Sequence, residues 1–265
     1  MQRLIVLIHI LLLGLAAAGP ARSAECQGED FTTRVSGNGE CVVVQTFGAA
    51  SGEAPRTLVV WLHGDHSGGG PATSHIRPAR EAAQRLGPGT VAVALWRPGY
   101  GDVEGRTSGG ELHDRSDHYT RANMAIVGDA VQRLRAHWKP QRTVLVGHSG
   151  GAATVAILLG QRPDIADAAL LLSCPCDLRA WRARRSWWPR SEDPLQWASS
   201  VDPRVSVLAL TGTADDNTTP RLAQAYVAAA AARGATARFE PVEGVTHNSI
   251  LGTTQVMDAL AALAP

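Results

Sequence analysis

The sequence predicts an α/β protein, a mostly parallel sheet covered by helices on both faces. Three observations carry that expectation. Short β-rich apolar runs recur along the chain; most are continuously apolar rather than alternating, as strands buried on both faces must be; and helical patterns fill the intervals between them. At 265 residues, 45% hydrophobic and 18% charged, the chain can bury a core, which excludes disorder and collagen-like repeats. No internal repeat and no Pro-, Gly- or Ser-rich linker divides it, so residues 25–265 are expected to form one domain.

The expected strands are Cys41–Phe47, Thr57–Leu62, Thr90–Leu95, Thr143–Val146, Ala168–Ser173, Val205–Leu210 and Ala237–Val242. The clearest helix carries Met124, Val127, Val131, Leu134 and Trp138 at steps of three and four, with Thr120 as its N-cap. A second begins at Pro220 with Thr219 as cap, passes Leu222 and Tyr226, and stops at Gly234. Ala152 to Leu159 is an apolar helical stretch, and the last helix spans Gln255 to Leu263.

Residues 1–24 read as a secretory signal peptide: Met1 and Arg3, an apolar run from Leu4 to Ala18, then small residues ending in Ala24. Later segments fall short of the roughly 20 apolar residues that a membrane span needs. Glu25 stands before Cys26, where a lipid-modified cysteine requires a small residue, so no stable membrane anchor is expected. The basic side is 24 Arg and one Lys, spread along the chain against 24 acids, for a net charge of +1. That is no footprint for nucleic acid.

Four cysteines suit an oxidising compartment. Cys26 and Cys41 flank the turn sequence Ser36-Gly37-Asn38-Gly39, and a hairpin there brings them together. Such a bridge contributes about 3 kcal/mol in the chain-entropy picture. Cys174 and Cys176, taken as lying on an extended strand, are too far apart to bond easily and are expected as buried thiols, with cross-pairing to Cys26 or Cys41 as the alternative.

The chemistry centres on Gly147-His148-Ser149-Gly150-Gly151, between a strand and a helix. A serine at the tip of so sharp a turn has a strained backbone, and side chains two residues before and after would collide, so glycine stands at both. The turn exposes Ser149 Oγ and aims the Gly150 N–H at the oxygen of a reacting carbonyl. A hydroxyl is a poor nucleophile until a base takes its proton and an acid orients that base. Both follow in order past strand ends: Asp215 in Gly212-Thr213-Ala214-Asp215-Asp216-Asn217, and His247 in Thr246-His247-Asn248. Asp177 is the rival acid, and Asp216 reads as a loop-capping carboxylate.

Together with His63-Gly64 after its strand, these motifs resemble the α/β-hydrolase superfamily over nearly all of the chain downstream of residue 24. The Asp215 loop is similar to that of prolyl oligopeptidase-like and dienelactone hydrolase-like members, in which the first aspartate is catalytic. The resemblance implies an eight-stranded, mostly parallel sheet and no cofactor. It also implies that the residue after His-Gly, Asp65, supplies a second oxyanion amide, with His66 in reserve. The chain has no room for the β-propeller of the prolyl oligopeptidases, which speaks against oligopeptidase activity.

A metal site at His63, Asp65, His66 and His75 is the competing reading, but their spacing matches no zinc pattern. His113, Asp114, Asp117 and His118 read as a solvated loop. Tyr100, in Arg97-Pro98-Gly99-Tyr100-Gly101, is a candidate for the pocket border. Residues 175–203 form a short cap insertion whose Trp181, Trp187 and Trp188 are candidates for the pocket, although at least two of its four tryptophans, Trp197 included, are expected to pack. Its arginines suggest an anionic substrate, but the chain uses Arg in place of Lys nearly everywhere, a compositional bias. The expected function is a secreted serine hydrolase cleaving an ester of a small or medium-sized molecule. The alternatives are a peptidase or amidase acting on short peptides and a non-catalytic binding module on the same fold.

Overall fold

The apolar runs become the strands of one sheet. A computed structural model of the chain describes residues 26–48 and 54–264. The expected signal segment lies outside the described residues. The strands are β1 (Arg34–Gly37), β2 (Glu40–Phe47), β3 (Thr57–Leu62), β4 (Thr90–Leu95), β5 (Arg142–His148), β6 (Ala168–Leu172), β7 (Ser206–Gly212) and β8 (Thr236–Val242). They lie side by side in the order β1-β2-β4-β3-β5-β6-β7-β8. β2 runs antiparallel to both its neighbours, and every later pairing is parallel.

Every residue of β3, β4 and β6 is buried, because helices cover both faces. At the edge, β8 alternates and is largely exposed. The helices are α1 (Ile76–Leu86), α2 (Arg121–Trp138), α3 (Gly150–Gln161), α4 (Leu178–Arg182), α5 (Pro194–Trp197), α6 (Pro220–Ala231) and α7 (Thr254–Leu263). One core cluster joins Val60, Leu145 and Ala169 of the sheet to Val127 of α2, Ala156 of α3 and Tyr226 of α6. The other joins Trp61, Val146 and Leu170 to Ala79 of α1 and Leu260 of α7.

Thr120 caps α2 by accepting the Asn123 amide, as its sequence position predicts. Thr219 makes no such side-chain bond; Pro220, fixed near a helical φ, starts α6 instead. α1 has no counterpart among the predicted helices. Its buried stripe is Pro78, Ala79, Ala82 and Ala83, small side chains set opposite Arg77, Arg80, Glu81 and Arg85 at a helical period.

Cys26 and Cys41 are bridged across the β1–β2 hairpin, with Cα atoms 4.7 Å apart. The expectation for the other pair is overturned: Cys174 and Cys176 form a disulfide with each other, Cα to Cα 5.0 Å. β6 ends at Leu172, and Ser173 takes φ 47°, so these cysteines lie in a turn rather than on an extended strand. The loop before α2 also differs from expectation. Asp117 and His118 are buried, Asp117 accepting the amides of Arg190 and Ser191 and His118 Nε2 lying 2.8 Å from the Pro98 carbonyl. No helix of the described residues is long and apolar enough to cross a membrane.

Candidate active site

Ser149 sits between β5 and α3 with φ 53° and ψ −120°, a conformation a side-chain-bearing residue rarely holds. Its amide donates to the Leu172 carbonyl of β6 at 2.8 Å, which ties the turn to the neighbouring strand. A Cβ at Gly147 would strike the Gly151 carbonyl, and one at Gly151 would strike the Leu62 carbonyl of β3. The glycines flanking the serine are therefore required by backbone contacts on both sides.

The loops after β7 and β8 bring the other two groups to the same rim. His247 Nε2 lies 3.0 Å from Ser149 Oγ, and His247 Nδ1 lies 2.9 Å from Asp215 Oδ2. An Nδ1–H facing the carboxylate leaves Nε2 as the lone-pair nitrogen toward the serine hydroxyl. Asp177, the rival acid, is elsewhere: it caps α4 by accepting the Ala180 amide at 2.9 Å. Burial opposes charge on Asp215, but the bond from His247 and the Thr218 amide prevail and hold its carboxyl at about 2.

Two further residues lock this arrangement and were not singled out from the sequence. Thr218 Oγ1 lies 2.8 Å from Asp215 Oδ2 and 2.9 Å from both His247 Nδ1 and the Ser173 carbonyl. Its position three residues after an aspartate in a turn is the signal that marks it. His148 Nε2 lies 2.9 Å from the carbonyl of His247. Burial, reinforced by the neighbouring His247, pushes the His148 imidazole down to about 4, so it is neutral and donates to that carbonyl.

The loop after β3 completes the rim. A Cβ at Gly64 would lie 3.1 Å from that of Ser149, so Gly64 and Asp65 pass directly beside the Ser149 turn. The Asp65 carboxylate faces inward, held by Arg97 Nη2 at 2.5 Å and the Tyr119 hydroxyl at 2.8 Å. Burial opposes both charges of this pair; their mutual attraction nonetheless leaves the carboxyl lowered and the guanidinium raised from their ordinary values. The backbone amides of Asp65 and Gly150 donate to no acceptor among the described residues. His63 is oriented by its own loop, Nδ1 2.7 Å from the Gly64 carbonyl and Nε2 accepting the Arg97 amide at 3.0 Å. Among the described residues, no group of three or more His, Cys, Asp or Glu side chains is placed to hold a metal ion.

A cleft of about 480 Å³ opens over Ser149 and His247, with His66 and Arg115 on one wall and Trp181, Arg182, Arg185 and Trp188 on the other. Two of the expected pocket residues are not in it. Tyr100 is fully buried, its ring 4.7 Å from that of His63 and beneath the Arg97 guanidinium, because the turn after β4 folds inward. Trp187 points outward, 47% exposed beneath Arg179, while its neighbour Trp188 is 8% exposed and packs edge-on to Tyr119. Trp197 packs on the core with its N–H on Glu192, so two of the four tryptophans stand away from the cleft.

A parallel sheet in this strand order, with a serine on a strained strand-to-helix turn, defines an α/β-hydrolase, and the chain is a serine hydrolase. The profile of the prolyl oligopeptidase family matches residues 123–264, more than half of the chain, so the chain belongs to that family. A comparison with curated proteins returned no match. Among solved structures, an esterase of Pyrococcus furiosus is similar at TM-score 0.65 and 15% identity, over 87% of this chain and 89% of that one. Est1E of Butyrivibrio proteoclasticus, with ferulic acid bound, is similar at TM-score 0.65 and 15% identity, over 87% and 98%. A puromycin-hydrolyzing peptidase of Mycobacterium tuberculosis is similar at TM-score 0.65 and 18% identity, over 87% of this chain but 38% of that one. The chain thus spans about two fifths of the peptidase and most of each of the other two.

Proposed function

We propose that this serine hydrolase cleaves an ester of a small or medium-sized molecule through an acyl-enzyme intermediate. Ser149 Oγ attacks the carbonyl carbon while His247 Nε2 takes the hydroxyl proton. Asp215 keeps the imidazole in the tautomer that this requires, and the Gly150 and Asp65 amides receive the oxyanion. Collapse of the tetrahedral adduct expels the alcohol, which takes its proton from His247. Water, deprotonated by the same imidazole, then releases the acid and restores Ser149. The observation that carries this reading is the 3.0 Å approach of His247 Nε2 to Ser149 Oγ.

Ester over amide is favoured by the likeness to the Pyrococcus furiosus esterase over nearly its whole length. The family itself, and the peptidase similar over a part of its length, favour cleavage of short peptides as the second reading. A panel of aryl esters and aminoacyl amides separates the two: ester turnover is expected, and amide turnover without ester turnover overturns the choice. A fluorophosphonate probe landing on Ser149 excludes a binding module that merely kept the fold.

The reading includes export, with residues 1–24 removed as a signal peptide and residues 175–203 acting as the cap. Two disulfides among the described residues are compatible with an extracytoplasmic location. Mass analysis of the protein recovered from its producing cell, showing an amino terminus near residue 25, is the expected outcome.

A further inference from the structure

The cleft contains three guanidinium groups that no carboxylate neutralises. Arg115, Arg182 and Arg185 line it together with Ser149 and His247. None of the three is within ion-pair distance of an Asp or Glu among the described residues. The lack of an ion pair is not peculiar to them, since Arg56, Arg77, Arg80 and Arg162 have none either among the described residues; what sets these three apart is that they line one cleft beside Ser149 and His247. An Arg-rich composition accounts for how many guanidiniums there are and for many lacking a carboxylate; it does not place three of them around one cleft.

Each is held by contacts that occupy only part of its donor set. Arg115 Nη1 donates to the His66 carbonyl at 2.8 Å and its guanidinium lies over Tyr100. The backbone that presents it is strained, with His113, Asp114 and Arg115 at φ 49°, 53° and 62°. Arg185 Nη2 donates to Asn217 Oδ1 at 3.1 Å, and its guanidinium lies 5.1 Å from the Trp181 ring centre. Arg182 bonds the Ser186 carbonyl and lies 4.4 Å from the ring centre of Trp188. With five N–H donors per guanidinium, each keeps donors to spare.

The two cap arginines also act on each other. Burial, and then the charge of Arg185, lower the basicity of Arg182. The nearby carboxylates are committed: Asp65 to Arg97 and Tyr119, Asp215 to His247, and Asp117, which acts on Arg182 from a distance, to the Arg190 and Ser191 amides. Like charges gathered without an anion are unfavourable until an anionic ligand joins them.

We propose that the substrate carries an anionic oxygen group, a carboxylate or a phosphate, which Arg115, Arg182 and Arg185 bind while the scissile carbonyl sits at Ser149. The inference rests on the ester-hydrolase reading and adds the substrate class to it. The test compares 4-nitrophenyl butyrate with mono-4-nitrophenyl glutarate, which adds a terminal carboxylate. The ratio of kcat/KM, anionic over neutral, is expected to be about tenfold at low salt, as for one charge-assisted contact. It should fall toward unity near 1 M salt, where exposed charges are screened. Arg185→Gln and Arg115→Gln, both changes at accessible side chains, are each expected to lower the ratio. A ratio at or below unity that neither variant changes overturns the proposal.

Hydrolysis of the neutral ester reports on the ester reading alone. Should no ester be turned over, that reading fails, and calorimetric titration of the Ser149→Ala protein decides the anion site by itself. Glutarate binding more tightly than glutaramide supports a carboxylate, and inorganic phosphate binding without glutarate supports a phosphate. Binding of neither anion overturns the site.

Discussion

At the rim of the sheet, positions are set by backbone. Ser149 is fixed by a strained φ of 53°, by its amide on Leu172 and by glycines that admit no side chain. Across the cleft, in residues 175–203, positions are set by side chains: guanidiniums lie over indole rings, and helices of five and four residues are started by Asp177 and Asp193. Backbone geometry resists drift in sequence, because most substitutions leave it unchanged, whereas a lattice of Arg and Trp side chains changes with single replacements. Positions at the rim therefore belong to the fold, and those in residues 175–203 to particular side chains.

The largest expected effect belongs to the rim. Ser149→Ala should lower kcat by about a million-fold, as loss of a serine nucleophile does elsewhere, and should abolish fluorophosphonate labelling. A variant retaining a tenth of the activity would break the comparison at its root. Arg97→Met tests how the rim is supported, because it strands the Asp65 carboxylate without its cation. A loss of about 3 to 5 kcal/mol is expected from the urea midpoint, and adding Asp65→Asn should recover part of it.

Acid should weaken the body through its neutral histidines. Burial holds His75 at about 3 and His118 and His148 at about 4, below the value of roughly 6.5 in an unfolded chain. Their folded values are depressed, so their contribution is whole above pH about 6.5 and is lost as the pH falls toward 4. Thermal scans should show Tm dropping on the order of 10 °C between pH 7 and 5. The smallest effect belongs to the cap surface: Trp187→Ala should change stability by no more than about 0.5 kcal/mol. Trp188→Ala, one residue on, removes a buried ring and should cost about 3 kcal/mol or more. Equal values for the pair would contradict the inward and outward facing of the two indoles.

Legibility in the sequence followed the same division. Strands buried on both faces were legible to the residue, as in Thr57–Leu62 and Thr90–Leu95, because two-sided burial leaves an uninterrupted apolar run. The chain order of Ser149, Asp215 and His247 was legible because each follows a strand end. α1 was not foreseen, although its charged residues lie opposite the buried Pro78, Ala79, Ala82 and Ala83 at a helical period. Nor was the Cys174–Cys176 bridge, whose closure depends on a turn at the end of β6 that hydropathy does not report. Tyr100 and Trp187 were misplaced for a related reason. Composition names the aromatic residues near a cleft, but the direction of each ring is decided by the backbone turn that carries it.

The hydrogen bond from His148 to the carbonyl of residue 247 has a mechanical consequence. Ser149 and His247 sit 98 residues apart in sequence, yet His148, next to the serine, bonds the main chain of His247. The loop after β8 is thereby tied to the turn after β5 by this bond as well as by the 3.0 Å contact of His247 Nε2 with Ser149 Oγ.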